Sequence, residues 1–177
     1  MPSIKGFTLV ELMVTIAVAS ILLVIGAPSL TSLYETTRAD QSIRKVQTII
    51  AYARNQAISY NQVINLCPQA NNVCGNDWKA GIQVFRPAQG GQAVAQLRYI
   101  EAFNDSDLIK FGFNQLQFTP DGRVSFLANG AASADTFSAT LSYCPSDKNN
   151  EHSQSITINS GGGTQITKSG VNCNTSS

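Results

Sequence analysis

Residues 7–30 read FTLVELMVTIAVASILLVIGAPSL, and the fold follows from what this stretch can do in water. No charged side chain occurs from position 12 to position 34, 23 residues in all, against the roughly 20 that a helix needs to cross a hydrocarbon core. Such a segment spans a membrane or packs against copies of itself. A cleavable secretory signal competes with this reading, because Ala17-Val18-Ala19 looks like a small-residue cleavage site. Cutting there would leave ILLVIGA as an apolar new N-terminus, so the run is too long for that purpose. An ordinary signal anchor accommodates the length but leaves Glu11 unexplained, since a carboxylate at that depth costs roughly 2.5–3.5 kcal/mol on insertion scales.

Beyond Leu30 the helical period continues and turns amphipathic. Ile43, Val46, Ile50, Ala53 and Ala57 recur at three- and four-residue spacing, while Arg44, Lys45, Gln47, Arg54 and Asn55 take the other face. One helix is therefore expected from about residue 7 to residue 59, about 80 Å long. Pro28 removes a backbone hydrogen bond inside it and Gly26 loosens the same turn, so a kink or local melting is expected there. After Asn61 the period changes to that of strands: 62–66, 81–85, 95–99, 117–118, 123–126, 136–144 and 155–158 are rich in Val, Ile, Phe and Tyr. Gly90-Gly91, Asp121-Gly122 and Gly161-Gly162-Gly163 supply turns. The expected fold class is α+β, a long helix followed by an antiparallel all-strand domain.

The 12 Lys+Arg nearly balance the 11 Asp+Glu and lie scattered, so no long-range field steers the chain to an anionic partner. Cys67, Cys74, Cys144 and Cys173 form no CxxC pair and have only His152 beside them, which fits two disulfides better than zinc. An even count behind an apolar N-terminal segment points to an oxidising compartment such as the periplasm or cell surface. Three connectivities are open at this stage. No nucleophile or acid pair surrounds His152, which reads as a solvated loop residue; no catalytic residue, metal site or cofactor is expected, and the chain does not read as an enzyme. Lys168-Ser169 matches a P-loop only in part, with Thr167 in the place of the required glycine. Asp105 and Asp107 have the spacing of a calcium-loop start without the glycine and glutamate that complete one.

Lys5-Gly6-Phe7-Thr8-Leu9-Val10-Glu11 closely resembles the class III signal of type IV pilins and pseudopilins. The resemblance implies that a prepilin peptidase cuts between Gly6 and Phe7, that Phe7 is then methylated, that Glu11 matches the glutamate five residues into the mature chain, and that Pro28 matches the helix-bending proline. Cleavage creates an α-amino cation with an unperturbed pKa of about 7.7–8.0, which can pair with Glu11 of a neighbouring subunit. The carboxylate that is costly alone in lipid then drives assembly and sets register. Leu66-Cys67-Pro68, Cys74-Gly75, Asp77-Trp78 and Gly81 leading into Val84-Phe85 narrow the match, being similar to the GspH/FimT group of minor pilins and pseudopilins. The group implies a kinked N-terminal helix packed on two small antiparallel sheets. Trp78 reads as a core anchor of the first sheet. Chain proximity favours Cys67 with Cys74 and Cys144 with Cys173.

The implied organisation is a leader over 1–6, a transmembrane and filament-core helix over 7–33, and a periplasmic domain over 34–177. The implied function is that of a minor pilin placed near the tip of a type IV pilus to prime its assembly, with a GspH-like pseudopilin of type II secretion as the alternative. The expected partners are other minor pilins, the major pilin, the prepilin peptidase and an inner-membrane assembly platform, at the inner membrane and then in the filament. A further alternative is DNA capture through the tail Gly161-Gly162-Gly163-Thr164-Gln165-Ile166-Thr167-Lys168-Ser169-Gly170. Its single lysine and lack of arginine weaken that reading, because phosphate binding draws on several clustered cations. Replacing Gly6 is expected to leave an uncleaved, membrane-bound precursor. Intact mass and N-terminal sequencing of the protein from native membranes check this, and normal maturation of the variant would remove the basis of the processing assignment.

Overall fold

The computed structural model describes residues 6–70, 73–128, 131–132, 136–147, 151–168, 171 and 173. Lys5, Ser169 and Gly170, used in the motif readings above, lie outside the described residues. The chain divides into two compact units, Met1–Glu35 and Thr36–Ser177, and the helix α1 (Leu9–Tyr60) contributes to both. Thr8 opens α1 and Asn61 closes it in the left-handed region at φ 50°. Beyond that residue the Gln62 amide donates to the Ala57 carbonyl at 3.2 Å, which satisfies one of the carbonyls a helix end leaves unpaired. The helix is continuous over Gly26 and Pro28, and the side chains at 25–28 lie outside the described residues.

In the second unit the expected apolar stripe is the centre of the core. Ile43, Val46, Ile50, Ala53 and Ala57 are all buried, joined by Ala39 and Ile49. Two antiparallel sheets supply the other side of this core. The larger holds β1 (Ile64–Ala70), β2 (Val73–Cys74), β3 (Ile82–Arg86), β4 (Ala95–Ile100), β6 (Gln115–Phe118), β7 (Val124–Ala128) and β8 (Ala131–Ala132), in the order β4-β3-β1-β6-β7-β8 with β2 on β1. The smaller holds β5 (Leu108–Lys110), β9 (Ser138–Cys144), β10 (Gln154–Asn159) and β11 (Thr164–Thr167), in the order β11-β10-β9-β5. Ile64, Leu66, Ile82, Val84, Leu116, Phe118 and Phe126 reach the common core from the first sheet, and Leu141, Tyr143, Ile156 and Ile158 from the second. Their alternation along each strand is the two-residue period of a sheet with one covered face.

The strands read from the sequence are present, with the one expected at 62–66 found at 64–70 and the one expected at 136–144 beginning at 138. Four were not read: β2, β5, β8 and β11. The first three hold two or three residues each, too few for a period. In β11 the sequence Thr-Gln-Ile-Thr has a single strong apolar residue because it is a sheet edge. Trp78 is buried, but it sits in the 3-10 helix Trp78–Ala80 and not on a strand of the first sheet. Its indole Nε1 donates to the Phe113 carbonyl at 2.8 Å, and its ring meets Phe111 edge-on at 5.1 Å. Cys67 is joined to Cys74 and Cys144 to Cys173, the pairing that chain proximity favoured. The first bridge closes the β1–β2 loop and the second ties the last described residue to β9. Each typically contributes about 2–4 kcal/mol by restricting the unfolded chain.

Two glycine turns lock the sheets onto α1. Arg54 Nε donates to the Gly122 carbonyl at 3.0 Å, and between the sheets the Val124 amide donates to the Ser160 carbonyl at 2.8 Å. Gly162, at φ +77°, lies so close that a Cβ there would meet the Gly122 carbonyl oxygen at 2.5 Å and Arg54 Nε at 2.7 Å. A second lock is polar. Asp107 is 2% exposed; Arg38 Nη2 lies 2.8 Å from its Oδ1, the Tyr143 hydroxyl donates to its Oδ2 and the Ser146 amide to its Oδ1 at 3.3 Å. Both of its oxygens are taken by protein donors, which is how a buried carboxylate is tolerated. Burial, and then the hydrogen bond to Asp107, push the Tyr143 phenol up to about 12.

Gly162→Ala is expected to lower unfolding free energy by about 1–3 kcal/mol, from the left-handed backbone and the contact with Gly122. Gly90→Ala, at φ +59° with no atom within 4 Å, loses only the backbone part, so the difference between the two in urea unfolding measures the packing. Asp107→Ala strips Arg38 of its buried carboxylate and is expected to cost about 3–5 kcal/mol, read by the same method. Because the Tyr143 pKa is raised on folding, its contribution is intact below its ordinary value of 10.0 and is lost as pH rises through about 12. Ultraviolet titration is expected to show one phenol ionising late, together with unfolding.

Candidate assembly interface

The first unit presents an apolar surface that its own chain does not cover. Phe7 is 78% exposed, and Leu9, Val10, Leu12, Met13, Val14, Ile16, Val18, Ile21, Leu22, Leu23 and Val24 are exposed on all sides of the helix. A helix that is apolar all round is normally buried, in lipid or among other helices, and α1 is long and apolar enough to cross a membrane. Gly6 and Phe7 lie ahead of the helix start, exposed and outside regular secondary structure, with open space around Gly6. A peptide bond in that state is accessible, unlike one inside a hydrogen-bonded turn.

Glu11 stands in the first turn of α1. Its carboxylate Oε2 accepts from the Thr8 amide and from the Thr8 hydroxyl, each at 3.5 Å, and the Glu11 amide donates to Thr8 Oγ1 at 3.3 Å. This is a capping box, in which two otherwise unsatisfied amides at a helix start are served reciprocally. Its signal, Thr-x-x-Glu ahead of an apolar run, is legible in the sequence beside the reading of Glu11 as an intersubunit partner. At 3.5 Å the contacts to the carboxylate are long and weak, so in the single chain Glu11 is lightly held and retains acceptor capacity. The carboxylate also lies favourably at the positive end of the helix dipole.

The C-terminal tail has a different chemistry from a phosphate grip. Lys168 Nζ lies 2.7 Å from Asp40 Oδ1 on α1, and Gln154 Nε2 donates to the same oxygen at 3.0 Å. The hydrogen bond from Lys168, and then that from Gln154, hold the Asp40 carboxyl below its ordinary range. The one lysine of the tail is therefore engaged with a carboxylate at neutral pH. Gly161, Gly162 and Gly163 form the β10–β11 turn, where the Gly163 amide donates to Asn159 Oδ1 at 2.9 Å. His152 is likewise not a solvated loop residue. Its side chain is only 14% exposed, and its Nδ1 meets Thr36 Oγ1 at 2.9 Å. Among the described residues no group of three or more His, Cys, Asp or Glu is placed to hold a metal ion.

The model of the type II transport protein GspH family matches residues 42–162, and that of the prokaryotic N-terminal methylation motif matches residues 1–27. No curated protein matches the chain significantly. Among solved structures, the type IV minor pilin FimU of Pseudomonas aeruginosa is similar in fold in two crystal forms. The first has a TM-score of 0.60 at 19% identity over 80% of this chain and 98% of that one. The second has a TM-score of 0.56 at 19% identity over 76% and 98%. The family model spans more than half of the chain, and the long helix and two antiparallel sheets share the fold of that minor pilin. The chain belongs to the GspH family of type IV pilin-like proteins, structural subunits that assemble with other pilins into a filament.

Proposed function

We propose that this protein is a minor pilin, matured by cleavage between Gly6 and Phe7 and methylation of Phe7, and incorporated near the tip of a type IV pilus to prime its assembly. The observation that carries the reading is the uncovered apolar face of residues 7–24, which begins directly after Gly6 and contains one carboxylate, Glu11. That face is stable only in lipid or among other helices. In the membrane Glu11 has no cation of its own among the described residues; in the filament the Phe7 amine of a neighbour supplies one. Exchanging an unpaired for a paired charge favours incorporation and sets the axial register. A bend at Pro28 lets the helices pack with an axial stagger. The domain over 34–177 stands in the periplasm and then on the filament surface, where sister minor pilins and the major pilin meet it, with the prepilin peptidase and the inner-membrane platform acting earlier.

A second reading has its own support, because the family model that matches residues 42–162 is described for type II transport. A pseudopilin of a secretion system would use the same N-terminal chemistry, and recovery of the protein in sheared pili or in a secretion pseudopilus separates the two. Glu11→Ala is expected to permit cleavage and methylation, both read by mass, yet to reduce incorporation into sheared filaments by about tenfold, as loss of a charge pair worth 1.4 kcal/mol or more requires. Normal incorporation of the correctly matured variant would overturn the pairing role of Glu11.

A further inference from the structure

β4 is an end strand of the larger sheet, hydrogen-bonded to β3 on one side, and among the described residues no strand lies on its other side. Such an edge presents a row of unpaired amides and carbonyls, a template on which another chain can pair. Gln96, Leu97, Arg98 and Tyr99 of β4 are exposed, so that Val94, Leu97 and Tyr99 stand as large apolar side chains in solvent. β11, an edge of the smaller sheet, exposes only Gln165 and Thr167. Arg98 and Ile100 oppose Val84 and Ile82 of β3, which are buried in the core, while Tyr99 opposes Gln83. Arg98 and Ile100 therefore face the helix, and Tyr99 faces the other way.

A groove of about 430 Å³ lies between β4 and α1. Arg44, Lys45 and Thr48 line it from the exposed side of the helix, Arg98 and Ile100 from the strand, and no carboxylate does. Lys45 makes no hydrogen bond or ion pair among the described residues. Arg44 Nε lies 3.5 Å from Asp40 Oδ2, on a carboxylate that Lys168 already holds at 2.7 Å. Arg98 rests over the Tyr52 ring at 5.0 Å. We infer that β4 takes an added strand from a partner protein, an extended segment in which acidic side chains alternate with apolar ones. Its backbone pairs with the free edge, its carboxylates meet Arg44, Lys45 and Arg98 in the groove, and its apolar side chains lie beside Tyr99. Nucleic acid fits less well, because it cannot pair with a strand edge. Its bases also find no stacking platform beside these cations, since Arg98 covers Tyr52 and Tyr99 is on the opposite face. The surface is separate from the processing and pairing chemistry of Gly6, Phe7 and Glu11, and its test needs neither maturation nor a filament.

The test uses the full-length protein in detergent and a capped peptide of about eight residues, a common strand length, that alternates glutamate with valine. Calorimetry is expected to show saturable binding, and hydrogen exchange to slow in 95–100 when the peptide is present. A peptide alternating lysine with valine should bind more weakly. So should the glutamate peptide with every backbone amide methylated, which keeps the charges and removes the donors. Lys45→Glu with Arg98→Glu, two exposed positions, should weaken binding about tenfold or more and reverse the preference between the two peptides. The proposal fails if binding is absent, if it leaves exchange at 95–100 unchanged, or if the lysine peptide or the methylated peptide binds equally well. A thymidine oligonucleotide that binds more tightly than the glutamate peptide would assign the groove to nucleic acid. Exchange at 95–100 that is slow in the free protein and quickens on dilution would assign the edge to a second copy of the chain. Either result overturns the inference.

Discussion

The apolar stripe of Ile43, Val46, Ile50, Ala53 and Ala57 is the surface on which both sheets close, and among the described residues the two sheets share this one core. Small residues at 39, 53 and 57 let strands approach the helix closely, while the branched side chains between them fill the space. The same α-helix carries, in its first unit, an apolar surface with nothing of its own chain upon it. One continuous element thus answers to two environments. A membrane or filament takes the first part, and a core built from both sheets takes the second.

On that core, a few close approaches fix how the sheets sit on the helix. Gly122 and Gly162 let two hairpin turns meet over Arg54 at distances no side chain tolerates. Asp107 gathers Arg38 from the helix, Tyr143 from β9 and the Ser146 amide around one buried carboxylate. A buried charge of this kind is weak evidence for net stability and stronger evidence for a fixed arrangement, since the penalty falls on any packing that leaves it unpaired. The Asp40–Lys168 pair fastens the C-terminal segment to the same helix from outside.

Much of this was legible from residue pattern because the dominant elements are long and periodic. The helix carries its three- and four-residue repeat for several turns, and the longer strands alternate over enough positions to be distinguished from it. The shortest strands escaped because two or three residues carry no period, and β11 because an edge strand needs few apolar side chains. His152 was misjudged for a related reason: a lone polar residue in a loop looks solvated until the chain folds a partner against it. Thr36, which supplies that partner, lies 116 positions away in sequence. The capping of α1 by Thr8 and Glu11 had a local signal, since both partners fall within one turn.

By itself the sequence determined the long helix, its division into an uncovered apolar part and an amphipathic part, the antiparallel all-strand domain and the processing signal. Each of these is local, written in spacing along a few turns or strands, and needs no knowledge of distant contacts. The tertiary structure alone decided which cysteines pair, which strands are neighbours, that Asp107 is a buried anchor and Lys168 an engaged cation. It alone also brought Arg44, Lys45 and Arg98 around one groove. These depend on contacts between residues far apart in the chain, whose outcome is set by the packing of the whole core and leaves no periodic trace at any single position.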